Sequence, residues 1–155
     1  MRLSPLGKLN DIADDDPETT FGTIARLLSD FRFAYLHIVN PAVAALERGE
    51  PPDAQSERII NLIRASYRGT LIVAGGFDQN TAEAWLEQGK ADLIAFGRKF
   101  IANPDLPERF RGGEPLNVDD PTTYYGGGAK GYTDYPTLAQ DRGEQPKACV
   151  DQRWR

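Results

Sequence analysis

The 155-residue sequence contains one cysteine, Cys149, and one histidine, His37. A single cysteine cannot form an intramolecular disulfide framework, and it points to a reducing, cytoplasmic setting. One histidine and one distant cysteine also leave no zinc-ligand set and no Cys/His nucleophile pair. No apolar run reaches the roughly 18 to 20 residues of a membrane span, and the opening residues 1–10 read as neither a signal nor a transit peptide. The expected protein is therefore cytoplasmic, with no membrane partner. Basic residues are outnumbered, 18 Lys+Arg against 23 Asp+Glu for a net charge of −5, with no basic stripe, which argues against nucleic acid. Length is short in one further sense: a complete (β/α)8 barrel takes roughly 250 residues.

What is present alternates between short apolar strands and amphipathic helices. Arg2 to Pro5 reads as a clipped strand end, followed by a Gly/Asn/Asp loop. Asp16-Pro17 predicts a helix start, with Asp as the cap and Pro where its missing N–H costs nothing. Phe21, Ile24, Ala25, Leu28 and Phe31 then recur at helical spacing. Ala34 to Val39 is a continuous apolar strand of the kind buried in parallel sheets, ended by Pro41. After a loop with room for one helical turn, Ser56 is the expected cap of a helix turning Ile59, Ile60, Leu62 and Ile63 inward and stopping at Gly69. Strand Thr70 to Ala74 closes on Gly75-Gly76, Asn80 and Glu83 have capping-box spacing, and strand Asp92 to Phe96 runs into Gly97-Arg98. This order predicts right-handed βαβ units on a parallel sheet.

Residues 103–155 hold six of the 11 prolines and seven of the 15 glycines, so the character changes there. The expected organisation is four βα units over 1–102, a Pro/Gly/Tyr-rich segment over 103–138, and a frayed, disordered tail over 139–155.

In parallel α/β folds, chemistry gathers at the C-terminal ends of the strands. Those ends here carry Arg2, the His37–Asn40 segment, Gly75-Gly76 and Gly97-Arg98. Glycines permit close approach of backbone to a ligand, and Arg98 offers a forked, charged donor to a phosphate. An ordinary pair of strand-to-helix turns with a surface arginine fits the same residues equally well. Arg2 could hold the electron-rich edge of a cofactor or simply sit beside a frayed end. His37, in an apolar strand, reads better as a structural histidine than as a catalytic one. Tyr124 and Tyr125, before Gly126 to Gly128, could form an aromatic wall over a flat ligand or pack within a loop.

Gly75-Gly76-Phe77-Asp78 with Ala82-Glu83-Ala84, and the run Ala91 to Phe110, strongly resemble the Old Yellow Enzyme family. Within it the match is closest to the N-ethylmaleimide reductase group of FMN-dependent ene-reductases. Arg2 to Pro5, Leu36-His37 with Pro41, and Tyr125 to Leu138 agree with the same family in the same order, so the resemblance covers about residues 2 to 138. It implies an α/β fold, the C-terminal half (strands five to eight) of a (β/α)8 TIM barrel, with a loop-rich extension. It implies FMN as cofactor, NAD(P)H as reductant, and an activated alkene or nitro compound as substrate. Arg2 matches the arginine at the flavin N1/C2 edge. Gly75, Gly76, Gly97 and Arg98 match the FMN phosphate cradle, and Tyr125 and Asn10 match substrate-cavity positions. The family's substrate-gripping His pair and proton-donating Tyr have no match, so no catalytic residue is assigned in this chain and no metal is implied. The resemblance implies a half that complements a missing N-terminal half-barrel or self-associates. A non-catalytic half-barrel module binding FMN or another phosphate ligand is the alternative.

Overall fold

The computed structural model describes residues 1–7, 13–47, 49, 51–126 and 128–143. The chain divides into two compact units, Met1–Phe96 and the part from Gly97 onward. That division precedes the boundary expected at 102, because the short helix after the fourth strand groups with the later residues.

The first unit is a four-stranded parallel sheet, β1 (Arg2–Leu3), β2 (Leu36–Val39), β3 (Leu71–Ala74) and β4 (Leu93–Ala95), in spatial order β1-β2-β3-β4. Between them run α1 (Pro17–Leu28), the short α2 (Val43–Glu47), α3 (Ala54–Ser66) and α4 (Gln79–Glu87). Burial alternates along β2 and β3: Leu36, Ile38, Leu71 and Val73 are buried and their neighbours only half so. Ala25 and Leu28 of α1, Ile59, Ile60 and Ile63 of α3, and Ala82 of α4 complete the core on that one face. Close approach of α1 to α3 occurs at Gly22, where a Cβ would lie 2.8 Å from Leu62 Cδ2. Leu62 is thus spent on the helix–helix seam rather than the core, and Phe31, beyond the end of α1, is 62% exposed.

Helix starts follow carboxylates. Asp16 caps α1 as expected, its side chain accepting from Thr19 N–H. The cap of α3 is Asp53, not Ser56; its Oδ1 accepts from Ser56 N–H at 2.7 Å. A carboxylate placed three residues earlier gains the helix-end electrostatics that a hydroxyl lacks. Likewise the capping box of α4 joins Asp78 and Thr81, not Asn80 and Glu83. The α3 helix ends at Ser66 with Tyr67 as its cap, short of Gly69.

The second unit contains α5 (Arg98–Ala102), α6 (Leu106–Gly112), a 3₁₀ turn at Pro121–Thr123 and α7 (Leu138–Asp141). Gly113 in the left-handed region, φ 64°, stops α6. A polar centre holds this unit. Arg109 is 1% exposed and reaches Asp105 Oδ1 at 2.8 Å, Pro115 O at 2.7 Å, Pro136 O at 3.0 Å and Asp141 Oδ2 at 3.1 Å. Beside it Asn117 donates to Ala102 O and Pro136 O, each at 2.8 Å. These bonds correct the expectation of a frayed tail from 139: Thr137 caps α7 in a capping box, and Asp141 is fixed by Arg109. Residues 144–155 lie outside the described residues. No described helix is long and apolar enough to cross a membrane.

Candidate functional site

Because every strand of the sheet is parallel, the four C-terminal ends meet along one edge of it. The register Arg2↔His37, His37↔Ile72 and Ile72↔Leu93 puts these four side chains in a row on the face that the helices leave uncovered. Leu93 is 52% exposed there. Arg2 and His37 are brought together in this way, a pairing that spacing in the sequence does not reveal.

His37 is half-buried, and its Nε2 is buried with no hydrogen-bond partner among the described residues. Burial lowers the imidazole pKa below 6.5, and the positive charges of Arg2 and the Met1 ammonium act in the same direction. The ring is therefore neutral at pH 7.

At the end of β3 the chain turns through Gly75 and Gly76, with φ of 108° and 76°. Such angles favour glycine, and space demands it as well. A Cβ on Gly75 would fall 2.7 Å from Val43 Cγ2, and one on Gly76 2.8 Å from Leu46 Cβ. The close neighbour that requires these glycines is α2, packed against the turn. Asn40, 2% exposed, locks this arrangement. Its backbone N–H donates to Ala74 O at 2.8 Å, its Oδ1 accepts from Ala42 N–H at 3.0 Å, and its Nδ2 reaches Gly75 O at 3.5 Å. Sequence reasoning included Asn40 in a strand-end segment but gave it no role of its own. Its signal was local, an Asn before Pro41 at a strand end, where an Asx turn starts readily. The capping box of Asp78 and Thr81 follows at once, so the first turn of α4 is already served by the protein's own carboxylate.

Gly97 and Arg98 open α5 in the second unit. Gly97 has φ −96° and ψ −85°, and nothing lies within 4 Å of a Cβ built on it. It lines a cavity of about 350 Å³ with Phe100, Ile101, Pro104, Tyr132 and Tyr135. Tyr125 is fully exposed, its ring edge-on to Tyr124 at 6.2 Å between centroids. Asn10 lies outside the described residues.

Residues 1–117 match the family model of the NADH:flavin oxidoreductase / NADH oxidase family. The chain is 39% identical over 142 residues to 12-oxophytodienoate reductase 1 of Oryza sativa subsp. japonica, covering 90% of this chain and 36% of that protein. It is 35% identical over 139 residues to 12-oxophytodienoate reductase 2 of Arabidopsis thaliana, covering 89% and 36%. Among solved structures, morphinone reductase superposes with a TM-score of 0.79 at 43% identity, over 90% of this chain and 36% of that one. The old yellow enzyme from Trypanosoma cruzi gives 0.76 at 36% identity, over 88% and 34%. The chain spans less than half the length of the relatives it matches. A parallel βαβ sheet with these glycine turns, matched by sequence and by fold over nine-tenths of its length, places the chain in the FMN-linked NADH:flavin oxidoreductase / NADH oxidase family, that of the Old Yellow Enzymes.

Proposed function

We propose that this chain forms four consecutive βα units of a (β/α)8 barrel and supplies the FMN-phosphate side of an NAD(P)H-dependent ene-reductase. The observation that carries this is the sheet: strictly sequential order β1-β2-β3-β4, all parallel, with α1, α3 and α4 packed on one face. Right-handed crossovers between sequentially adjacent strands put every helix on the same side. A parallel sheet requires cover on both faces, and a barrel provides it by closing the sheet so that its inner face packs on itself. The row Arg2, His37, Ile72 and Leu93 then belongs to the inner face, and β1 and β4 pair with strands outside this chain.

The residues present fit FMN. Among the described residues nothing lies within 4 Å of a Cβ built on Gly97, so a ligand atom can approach that backbone, and Arg2 stands exposed on the uncovered face as a charged, forked donor. In this reading Gly75 and Gly76 are FMN-phosphate contacts of the first unit, and Gly97 and Arg98 are FMN-phosphate contacts of the second. Arg2 contacts the isoalloxazine at its N1/C2 edge. Tyr125 is a substrate contact, for an activated alkene or nitro compound, and the resemblance gives Asn10 the same role. FMN, when bound, supplies hydride chemistry between NAD(P)H and the substrate. This chain's part is binding and electrostatics: Arg2 and Arg98 place fixed positive charge against the electron-rich edge and the phosphate. The groups that grip the substrate and donate a proton are supplied from outside these residues.

The test is complementation. Alone, the chain is expected to retain FMN weakly and to show no NAD(P)H:cyclohexenone reductase activity. Combined with the remaining part of a related enzyme, it should bind FMN, followed by quenching of flavin fluorescence. Arg98→Ala should then weaken binding by roughly 1.5–3 kcal/mol, the range for a hydrogen bond to a charged group. Rapid turnover by the isolated chain would refute the division of labour, and unchanged affinity in Arg98→Ala would remove Arg98 from the phosphate.

A further inference from the structure

The sheet face that the helices leave open carries one feature that the FMN reading does not use. In a row otherwise continued by Ile72 and Leu93, β2 places His37, and its Nε2 is buried without a hydrogen-bond partner among the described residues. An apolar residue would fill that place at no polar cost, whereas an unsatisfied buried nitrogen is costly. The register shows which neighbours flank it. Arg2 is paired with His37 across adjacent parallel strands, with both side chains on the same face and about 5 Å between strands. On the other flank β3 offers Ile72, which carries neither charge nor polar side-chain atom.

We propose that His37 is a positioning residue for Arg2, its neutral imidazole presenting the Nε2 lone pair to the guanidinium once the exposed Arg2 side chain, not bonded to it in this structure, swings across the β1–β2 pair. Among the described residues, the charges that act on the His37 imidazole are those of Arg2 and the Met1 ammonium, both at the β1 side and both positive. Beside two cations the favourable tautomer turns its bare nitrogen toward them and carries its proton on Nδ1. The burial and charges that depress the imidazole pKa keep it in that acceptor form at neutral pH. A guanidinium has five N–H donors. One held by His37 fixes the plane of the fork and leaves the others directed away from the sheet. That those others meet the electron-rich edge of the flavin rests on the function proposed above.

His37 is the only histidine, so a long-range ¹H–¹⁵N spectrum of the uniformly labelled chain contains one imidazole. The expected spectrum at pH 7.5 shows Nδ1 protonated and Nε2 bare, with a midpoint of titration below 6.5. In Arg2→Gln the midpoint should rise by about half a pH unit, the scale of one charge at this separation in a largely aqueous dielectric. Arg2→Lys, which keeps the charge, should leave the midpoint depressed. A protonated Nε2 in the unmodified chain, or a midpoint unmoved by Arg2→Gln, would overturn the proposal. If Arg2→Gln fails to fold, the tautomer in the unmodified chain decides. No flavin is present in this measurement, so it tests the pair by itself. A coupled pair combined with unaltered FMN affinity of Arg2→Gln in the complemented protein would uphold the pair and overturn the flavin role of Arg2.

Discussion

Removing the Arg109 guanidinium should loosen the whole segment from Pro115 to Asp141 while leaving the sheet unit intact. The side chain is 2% exposed and makes four hydrogen bonds, two to carboxylates and two to carbonyls. These are not four equal losses. Pro136 O also accepts from Asn117 Nδ2 and stays satisfied. Asp141 is 42% exposed, so water replaces its lost partner, and that pair is worth no more than about 1 kcal/mol. Asp105 is the costly one. Its side chain is 9% exposed, and without Arg109 it keeps the Leu138 N–H, donated to Oδ2 at 2.6 Å, and its own backbone N–H, but no charged partner. Burial pushes the Asp105 pKa up, and the Leu138 N–H and Arg109 together outweigh it. Losing Arg109 therefore strands a buried carboxylate and the Pro115 carbonyl.

Arg109→Met, of similar length and without charge, should destabilise the second unit by about 3–5 kcal/mol, the cost of breaking one side of a buried pair. Arg109→Lys keeps the charge but not the fork, so it cannot serve Asp105 and Pro115 together; about half that loss is expected. Amide hydrogen exchange is the right assay, because a two-unit chain need not unfold in one step. Protection of the Leu138 and Asn117 amides should collapse in Arg109→Met, while the Leu71 and Ile38 amides of the sheet keep theirs. Arg109→Met with Leu138 protection within about 0.5 kcal/mol of the unmodified chain would refute the reasoning, since that is the size of an ordinary surface change.

Two further perturbations separate local from long-range causes. Gly76→Ala meets both a left-handed φ of 76° and the Leu46 side chain, whereas Gly89→Ala has φ 66° and open space. Each should lose about 1–2 kcal/mol from the backbone, and Gly76→Ala measurably more in a urea titration, because α2 must shift; equal losses would show that α2 does not press on the turn. Asp92 Oδ2 accepts from Leu71 N–H at 2.7 Å and from Arg64 at 2.8 Å, and the first of these chiefly holds its pKa below the ordinary carboxylate value. Its unfolded form takes up a proton first as pH falls, so its stabilisation is complete above about pH 4 and fades below. Half exposed, Asp92 should cost about 1 kcal/mol as Asp92→Asn at pH 7, with the gap from the unmodified chain closing toward pH 2 in the same urea assay; a gap independent of pH would exclude the carboxylate's charge as the cause.

The alternation of strand and helix was legible because it is written in short-range apolar periodicity. Ile38 and Val73, or Ile59 and Ile63, declare their faces within a few residues of chain. Helix starts were less legible. The stretch Asp78-Gln79-Asn80-Thr81 offers three residues able to cap, Asp78, Asn80 and Thr81, and the helix starts from the first of them. The glycine pair shows the same limit from the other side. A turn was readable at that point, but its cause was not, since Val43 and Leu46 lie some thirty residues earlier and announce nothing about Gly75.

Arg109 marks where reading stops and why. In Glu108-Arg109-Phe110-Arg111 it resembles any solvated helix face, and Arg111 two residues on is exposed as that pattern suggests. Its partners Asp105, Pro115, Pro136 and Asp141 span the unit, and three of them accept through backbone or through a carboxylate in a segment with almost no apolar pattern. Apolar burial leaves a periodic trace because one face of an element must be apolar over several turns. A hydrogen-bonded charge leaves none, because a single donor group satisfies acceptors scattered along the chain and asks nothing of the residues between them. The order of α7 therefore rests on one buried guanidinium as well as on its own Thr137–Gln140 capping box. The same holds for Arg2 and His37, which the sheet register, and no spacing in the sequence, sets side by side.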